Sequence, residues 1–216
     1  MKKIVSFVVP VYNEEESLEL LYSGIVKNIP MDYDKEIWFV NDGSSDKSEV
    51  VIKSIILRDK DVHLISFRKN FGKALALETA FRNVNGDIII TMDADLQDDP
   101  VEIPNFINKI NEGYDLVSGW KKERHDPLEK RIPSKFFNKV TSKLSGVKLH
   151  DFNCGYKAYR KEVVDAIDVY GELHRYIPVL AYRKGFQITE IVVHHHKRQF
   201  GKSKYGFERY LRGLFD

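Results

Sequence analysis

Asp87-Ile-Ile-Ile-Thr-Met-Asp-Ala-Asp-Leu-Gln-Asp-Asp-Pro100 is the stretch on which the reading of this chain turns. An apolar run, Ile88 to Met92, ends in Asp93-Ala94-Asp95, and Gln97, Asp98, Asp99 and Pro100 follow at once. A short apolar run bounded by turn formers reads as a strand buried on both faces. Two carboxylates at i and i+2 can face one hard cation once the chain leaves strand geometry. Mg2+ or Mn2+ held by one or two carboxylates and completed by substrate phosphates is how nucleotide enzymes bind metal. The acidic cluster therefore points to a nucleoside diphosphate substrate. The competing reading is an acidic turn that caps the helix after Pro100.

Working outward, short apolar runs alternate with helical patterns. The spacing predicts strands at Ile4–Val11, Glu36–Val40, Val62–Phe67, Asp87–Met92 and Asp115–Ser118. Helices are expected at Glu14–Lys27, Asp46–Arg58, Gly72–Val84 and Pro100–Asn111, with Asp46 and Glu49 forming a capping box at the second. Such alternation predicts an α/β fold with an open, mainly parallel sheet flanked by helices. Ligands of such sheets bind at the carboxyl ends of strands, near a switch in strand order. Three polar clusters fall at such ends: Tyr12-Asn13-Glu14, Asn41 to Asp46, and the acidic triplet. After Gly119 the pattern becomes mixed: a charged loop at Trp120–Arg131, a helix at Ile132–Leu144 with Pro133 in its first turn, a strand at Gly155–Tyr159, and a helix at Lys161–Ile167. A helix at Tyr176–Lys184 and a strand at Phe186–Val193 follow, then a basic tail, His194–Lys204.

Composition narrows the classes. The 216 residues, 43% hydrophobic, suffice for one large domain with a buried core. A net charge of +2 is too small to imply a nucleic-acid partner. The single cysteine, Cys154, excludes an internal disulfide. The amino terminus lacks a signal peptide's apolar stretch, and no run approaches the roughly 18 apolar residues that span a bilayer, so the chain as given is expected to be soluble. The triple histidine His194-His195-His196 makes a poor zinc site, because an extended run sends alternate side chains to opposite faces.

Val8-Val9-Pro10-Val11-Tyr12-Asn13-Glu14-Glu15, Val40-Asn41-Asp42-Gly43-Ser44-Ser45-Asp46 and Asp93-Ala94-Asp95, in that order, resemble the family 2 glycosyltransferases of GT-A (Rossmann-like) fold. Asp95-Leu96-Gln97-Asp98-Asp99-Pro100, Asn153-Cys154-Gly155-Tyr156-Lys157-Ala158-Tyr159-Arg160 and Arg198-Gln199-Phe200-Gly201-Lys202-Ser203-Lys204-Tyr205 narrow the likeness to the polyprenyl-phosphate sugar transferases, the group that includes dolichyl-phosphate mannose synthase and its bacterial undecaprenyl-phosphate relatives. The resemblance implies one catalytic domain over residues 1–204, with a nucleotide-sugar half at 1–119 and an acceptor half with the basic tail at 120–204. Residues 205–216 would be an amphipathic juxtamembrane segment, cut before transmembrane helices that many relatives carry. A helix packed on the core is the competing reading of that segment.

For single residues the resemblance implies the following. Pro10, Tyr12 and Glu14 hold the nucleoside and Asp42 reads the base, a role suited to a carboxylate that accepts from ring N–H groups; a simple Asp-Gly turn is the alternative. Asp95 and Gln97 ligate Mg2+ or Mn2+, with Asp93 contacting the sugar nucleotide or the metal through water. Asp98 and Asp99 are expected to cap the next helix. Arg198, Lys202 and Lys204 grip the diphosphate. Arg131 and Ser134 hold the lipid phosphate, with Lys121, Lys122 and Arg124 as looser candidates. Trp120-Lys121 stands where relatives often have a serine-arginine pair, which puts Lys121 in question. Asn70-Phe71-Gly72-Lys73 is either a further approach to the nucleotide or a helix-start turn.

The implied reaction is metal-dependent, inverting transfer of a sugar from a nucleoside diphosphate, UDP preferred over GDP, to polyprenyl phosphate at the cytoplasmic face of a membrane. A phosphate monoester has its second pKa near ~6 and attacks without a general base; neither Asp93 nor Asp151 is expected to act as one. Two alternatives remain: transfer to a saccharide or protein hydroxyl, and a catalytically silent sugar-nucleotide-binding module. A homo-oligomer is compatible with the resemblance, and no feature of the sequence requires one.

Overall fold

Residues 2–122, 128–169, 171 and 173–201 are described by the structure, a computed structural model; for 128–136 the description is of helix backbone alone. Arg124, Lys202, Lys204 and the segment 205–216 lie outside the described residues, as do the side chains of Arg131 and Ser134. The described strands are β1 (Lys3–Val11), β2 (Tyr33–Asn41), β3 (Val62–Ser66), β4 (Ile88–Thr91), β5 (Leu116–Trp120), β6 (Lys157–Arg160) and β7 (Ile188–Val192). They form one sheet in the order β3-β2-β1-β4-β6-β5-β7. The pairs β3–β2, β2–β1, β1–β4 and β5–β7 are parallel, while β6 runs antiparallel to both β4 and β5. The sheet is thus mainly parallel, with the expected mixed part on the carboxyl-terminal side.

Helices cover both faces: α1 (Leu18–Asn28), α2 (Ser48–Ile56) and α4 (Ile103–Asn111) on one, α3 (Lys73–Phe81), α6 (Lys161–Ala166) and α7 (Ile177–Arg183) on the other. α1 buries Leu18, Leu21 and Ile25, and α4 buries Ile103, Phe106, Ile107 and Ile110, each one stripe of a 3.6-residue period. β1 sends Val5, Phe7 and Val9 to the first face and Val8 to the second, which is why it reads as a continuous apolar run. From β1 the chain builds outward through β2 to β3 and, in the other direction, to β4. The carboxyl ends of β1 and β4 therefore mark the switch point where such sheets bind ligands.

Several element ends differ from expectation for local reasons. α1 begins at Leu18 rather than Glu14, because the turn before it is stitched to the loop after β2. Asn13 N–H donates to Ser44 Oγ (2.9 Å), Glu14 N–H to Ser48 Oγ (2.9 Å) and Glu15 N–H to Asp46 Oδ2 (3.1 Å). The capping box does not form. Asp46 accepts from Ser48 N–H at 2.9 Å, but Glu49 turns to Lys53, Asn41 and Ser66. α5 (Leu128–Ser145) starts four residues before the predicted Ile132. Pro133 falls in its second turn, where the absent N–H removes the bond to the carbonyl four residues back.

Candidate active site

Three loops leave the carboxyl ends of β1, β2 and β4 beside one another, and the chain after β7 returns across them. Asn13 takes the left-handed conformation (φ 53°) and its Oδ1 accepts from Ser45 N–H at 2.7 Å, so the first two loops are held as one rim. Tyr12 is partly exposed on that rim. Asp42 is buried and its two oxygens accept from Phe71 N–H (2.7 Å) and Gly72 N–H (2.9 Å). Burial pushes the Asp42 carboxyl above its ordinary pKa, partly offset by those two N–H groups.

The acidic loop is a lattice of opposite charges. Asp93 is paired with Lys73, the first residue of α3. Asp98 Oδ2 accepts from Asp93 N–H at 3.3 Å, while Oδ1 meets Lys121 Nζ at 2.9 Å. Asp98 therefore holds the loop from within instead of capping the following helix, as expected; Asp99 alone caps, through Val101 N–H at 3.0 Å. Lys121, just past β5, is buried against the floor of this cluster. Burial alone would lower its ammonium, but the neighbouring negative groups, Asp98 foremost, raise it above the ordinary lysine value.

Arg198 closes the other side, bonding Glu14 Oε1 at 2.9 Å and Asp95 Oδ2 at 2.7 Å. Its tail is clasped to the acidic loop: His196 N–H donates to the Gln97 carbonyl at 2.9 Å, Gln97 Nε2 donates to the His196 carbonyl at 3.2 Å, and the Asp98 backbone pairs with that of His195. His194 and His196 face Glu102 (2.7 Å) and Asp99 (2.8 Å). The Asp95 carboxyl is pushed up to about 6 by burial and by the charges of Asp93 and Asp98.

A carboxylate so crowded by like charge is suited to a cation. The donor set fits a hard divalent ion: carboxylate oxygens of Asp93 and Asp95 on one loop, with the Gln97 side chain beside them. Among the described residues no three His, Cys, Asp or Glu groups are preassembled around one point.

The structure thus brings together Glu14, Asp42, Asp93, Asp95, Gln97, Lys121 and Arg198. Pro10 lies within β1, paired in register with Val40. Sequence reasoning left Lys73 open and passed over Gly155 and Lys157. Gly155 backs directly onto Asp93: an added Cβ would stand 2.8 Å from Asp93 Oδ2 and 2.7 Å from Lys73 Nζ. Lys157, fully buried in β6, turns its ammonium to the carbonyls of Phe152 and Cys154 and so fixes the turn that carries Gly155; burial pulls its pKa down. Asp151 is buried and accepts from Asn153 N–H at 3.1 Å.

An open α/β sheet with an acidic loop at its switch point and a basic tail returned over it defines the chain as a GT-A glycosyltransferase fold. Solved structures agree. A glucosyl-3-phosphoglycerate synthase from Mycobacterium tuberculosis, in complex with Mn2+, UDP and phosphoglyceric acid, superimposes with a TM-score of 0.71 at 18% identity over 91% of this chain and 72% of that one. A mannosyltransferase from Pyrobaculum calidifontis, in complex with GDP-Man and Mn2+, gives 0.66 at 20% over 89% and 56%. The family model for glycosyl transferase family 2 matches residues 6–168, and the chain belongs to that family. It is 40% identical over 215 residues to an undecaprenyl-phosphate 4-deoxy-4-formamido-L-arabinose transferase from Shewanella sediminis, and 38% over 218 residues to one from Photorhabdus laumondii. These alignments take in 98% and 99% of this chain but 65% and 66% of the relatives' lengths.

Proposed function

We propose that this chain transfers a sugar from a nucleoside diphosphate, UDP in preference to GDP, to the phosphate of a polyprenyl lipid at the cytoplasmic face of a membrane. The observation that carries the reading is the acidic loop after β4, set at the switch point and faced by Arg198. The relatives' names, undecaprenyl-phosphate sugar transferases at 38–40% identity, support the acceptor class.

In this reading Pro10, Tyr12 and Glu14 line the nucleoside and Asp42 reads the base. Asp95 and Gln97, with Asp93 through water, would hold Mg2+ or Mn2+. Bound there, the ion would neutralise charge growing on the leaving diphosphate. Arg198 does the same from the tail, and Lys202 and Lys204, outside the described residues, follow it in sequence. Arg131 and Ser134, the fourth and seventh residues of α5, hold the lipid phosphate. Lys121 is engaged by Asp98, so it acts beneath the acidic loop rather than on the acceptor. The acceptor phosphate attacks as its dianion with inversion at the anomeric carbon, and no side chain need take a proton. Among the described residues no helix is long and apolar enough to cross a membrane.

Transfer is tested by incubating the protein with undecaprenyl phosphate in detergent, UDP- or GDP-sugars and Mn2+, and detecting the glycosylated lipid by mass spectrometry. Product from one donor class, absent with Asp95→Ala, supports the reading. Product on a free saccharide with no lipid product would replace the acceptor. Metal-dependent donor binding without turnover on any acceptor would leave the silent module.

A further inference from the structure

We propose that Lys73 is a positioning residue that couples the acidic loop to Asp42. A divalent cation held by Asp95 and Gln97, with Asp93 reaching it through water, would draw Asp93 from Lys73, free the loop before α3, and open the Asp42 carboxylate to the base of the donor. The inference rests on the donor reading given above.

Three observations carry it. First, both oxygens of Asp42 are engaged by consecutive amides, Phe71 N–H at 2.7 Å and Gly72 N–H at 2.9 Å. Gly72, at φ 98°, is the N-cap residue of α3, so Asp42 anchors the last two residues of the loop immediately before the helix rather than the helix itself. The group assigned to read the base is the group that holds this loop shut. Second, the next residue, Lys73, reaches the acidic loop and pairs with Asp93, with the Gly155 backbone packed against both side chains. Only backbone joins the Asp42 contact to the Asp93 contact, and a shift at one end is felt at the other. Third, the loop has little else to keep it in place. Phe71 is half exposed, edge-on to Phe67 at 5.7 Å, with Lys69 Nζ 5.1 Å from its ring centre. Segments with few buried contacts open at low cost. Beneath it Gly43 leaves no room for a side chain, a Cβ there standing 2.6 Å from the Asn70 nitrogen, so the loop rests directly on the Asp42 turn.

A cation beside Asp93 competes with the Lys73 ammonium for the same carboxylate. Uridine is the decisive probe, because it has no phosphate and cannot ligate the ion. Any dependence of its affinity on metal must pass through the protein. Wild type should bind uridine about 5-fold or more tightly with saturating Mn2+ than with chelator. Lys73→Met should bind it at the metal-loaded level in both conditions, and Lys73→Arg should restore the difference. Hydrogen exchange of peptides spanning 68–76 gives a reading that needs no nucleotide. Mg2+ should speed exchange at Phe71 and Gly72 in wild type and Lys73→Arg, and leave Lys73→Met unchanged. Exchange indifferent to Mg2+ in wild type, or an equal response in Lys73→Met, overturns the proposal. If exchange responds but UDP does not bind with Mn2+, the donor reading fails while the coupling stands. If UDP binds with Mn2+ and exchange is unmoved, the reverse holds.

Discussion

Gly155 shows how tightly the residues around the acidic loop are set. A methyl group there would press on Asp93 Oδ2 and Lys73 Nζ, both at the ends of flexible side chains. The fold can yield to it, but the pair cannot keep its geometry. Gly155→Ala should therefore leave thermal stability within about 1 kcal/mol of wild type while transfer falls about 10- to 100-fold, because small misplacements at a reacting centre are costly. A melting curve and a transfer assay on the same sample check both halves. Asp42 carries a prediction about pH. Burial raises its pKa, so its proton is held more tightly in the folded protein than in the unfolded chain. Its contribution to stability then declines as pH rises through that window. Nucleoside binding moves the other way: it is lost as pH falls through the raised value, starting above the ordinary carboxylate range near ~4. Asp42→Asn should bind nucleoside about 10-fold or more weakly at neutral pH and show no such acid limb. Titration calorimetry of uridine from pH 4.5 to 7.5 makes the comparison.

Among elements, the acidic loop and the tail after β7 depend on one another. The Asp98 carboxylate, fully buried, links Asp93 N–H to the Lys121 ammonium, while the Asp98 backbone pairs with that of His195 in the tail. Removing the carboxylate strands a charge on Lys121, whose side chain is 12% exposed. Asp98→Ala should cost about 3–5 kcal/mol, and adding Lys121→Met should recover a large part, since the burden is the unpaired ammonium. Urea denaturation of the two variants decides it; equal losses would mean that the cost lies in the acceptor lost to Asp93 N–H and not in the stranded ammonium. This is also where the sequence was least informative. The pattern of apolar runs located every strand of the sheet, because burial on both faces leaves a continuous signature in β1 and β4. Acidic residues before a proline read equally as caps or as ligands, and only the approach of Lys121 from the end of β5 separates Asp98 from Asp99. The expected capping box failed for a related reason: Glu49 found Lys53, Asn41 and Ser66, two of them on other elements that no local pattern reveals. Lys73 stayed ambiguous because its partner lies 20 residues on, across the sheet.

Across the whole molecule, the switch point concentrates charge that the rest of the chain balances. Glu14, Asp93, Asp95 and Asp98 are each engaged by one of three cations, Lys73, Lys121 and Arg198, drawn from three separate regions of the fold. Burial, and after it the charges of Asp93 and Asp98, pushes Asp95 up to about 6 against the opposing pull of Arg198 and Lys121. A nucleoside diphosphate entering this site brings more negative charge. At ~4 Å and an effective dielectric near ~20, each like-charge pair costs about 4 kcal/mol. Arg198 can offset part of this only by leaving Asp95, which then stands uncompensated. A divalent cation meets both demands at once. Chelation with EDTA should accordingly weaken UDP binding about 100-fold or more, equivalent to about 2.7 kcal/mol, while uridine loses only the smaller factor transmitted through Lys73. Arg198→Ala should reduce the transfer rate about 100-fold without abolishing Mn2+-dependent UDP binding, because the metal, not the tail, carries most of the neutralisation. Calorimetry of UDP with and without EDTA separates the two contributions. UDP affinity indifferent to EDTA would assign the neutralisation to the basic tail and remove the metal from the proposed reaction.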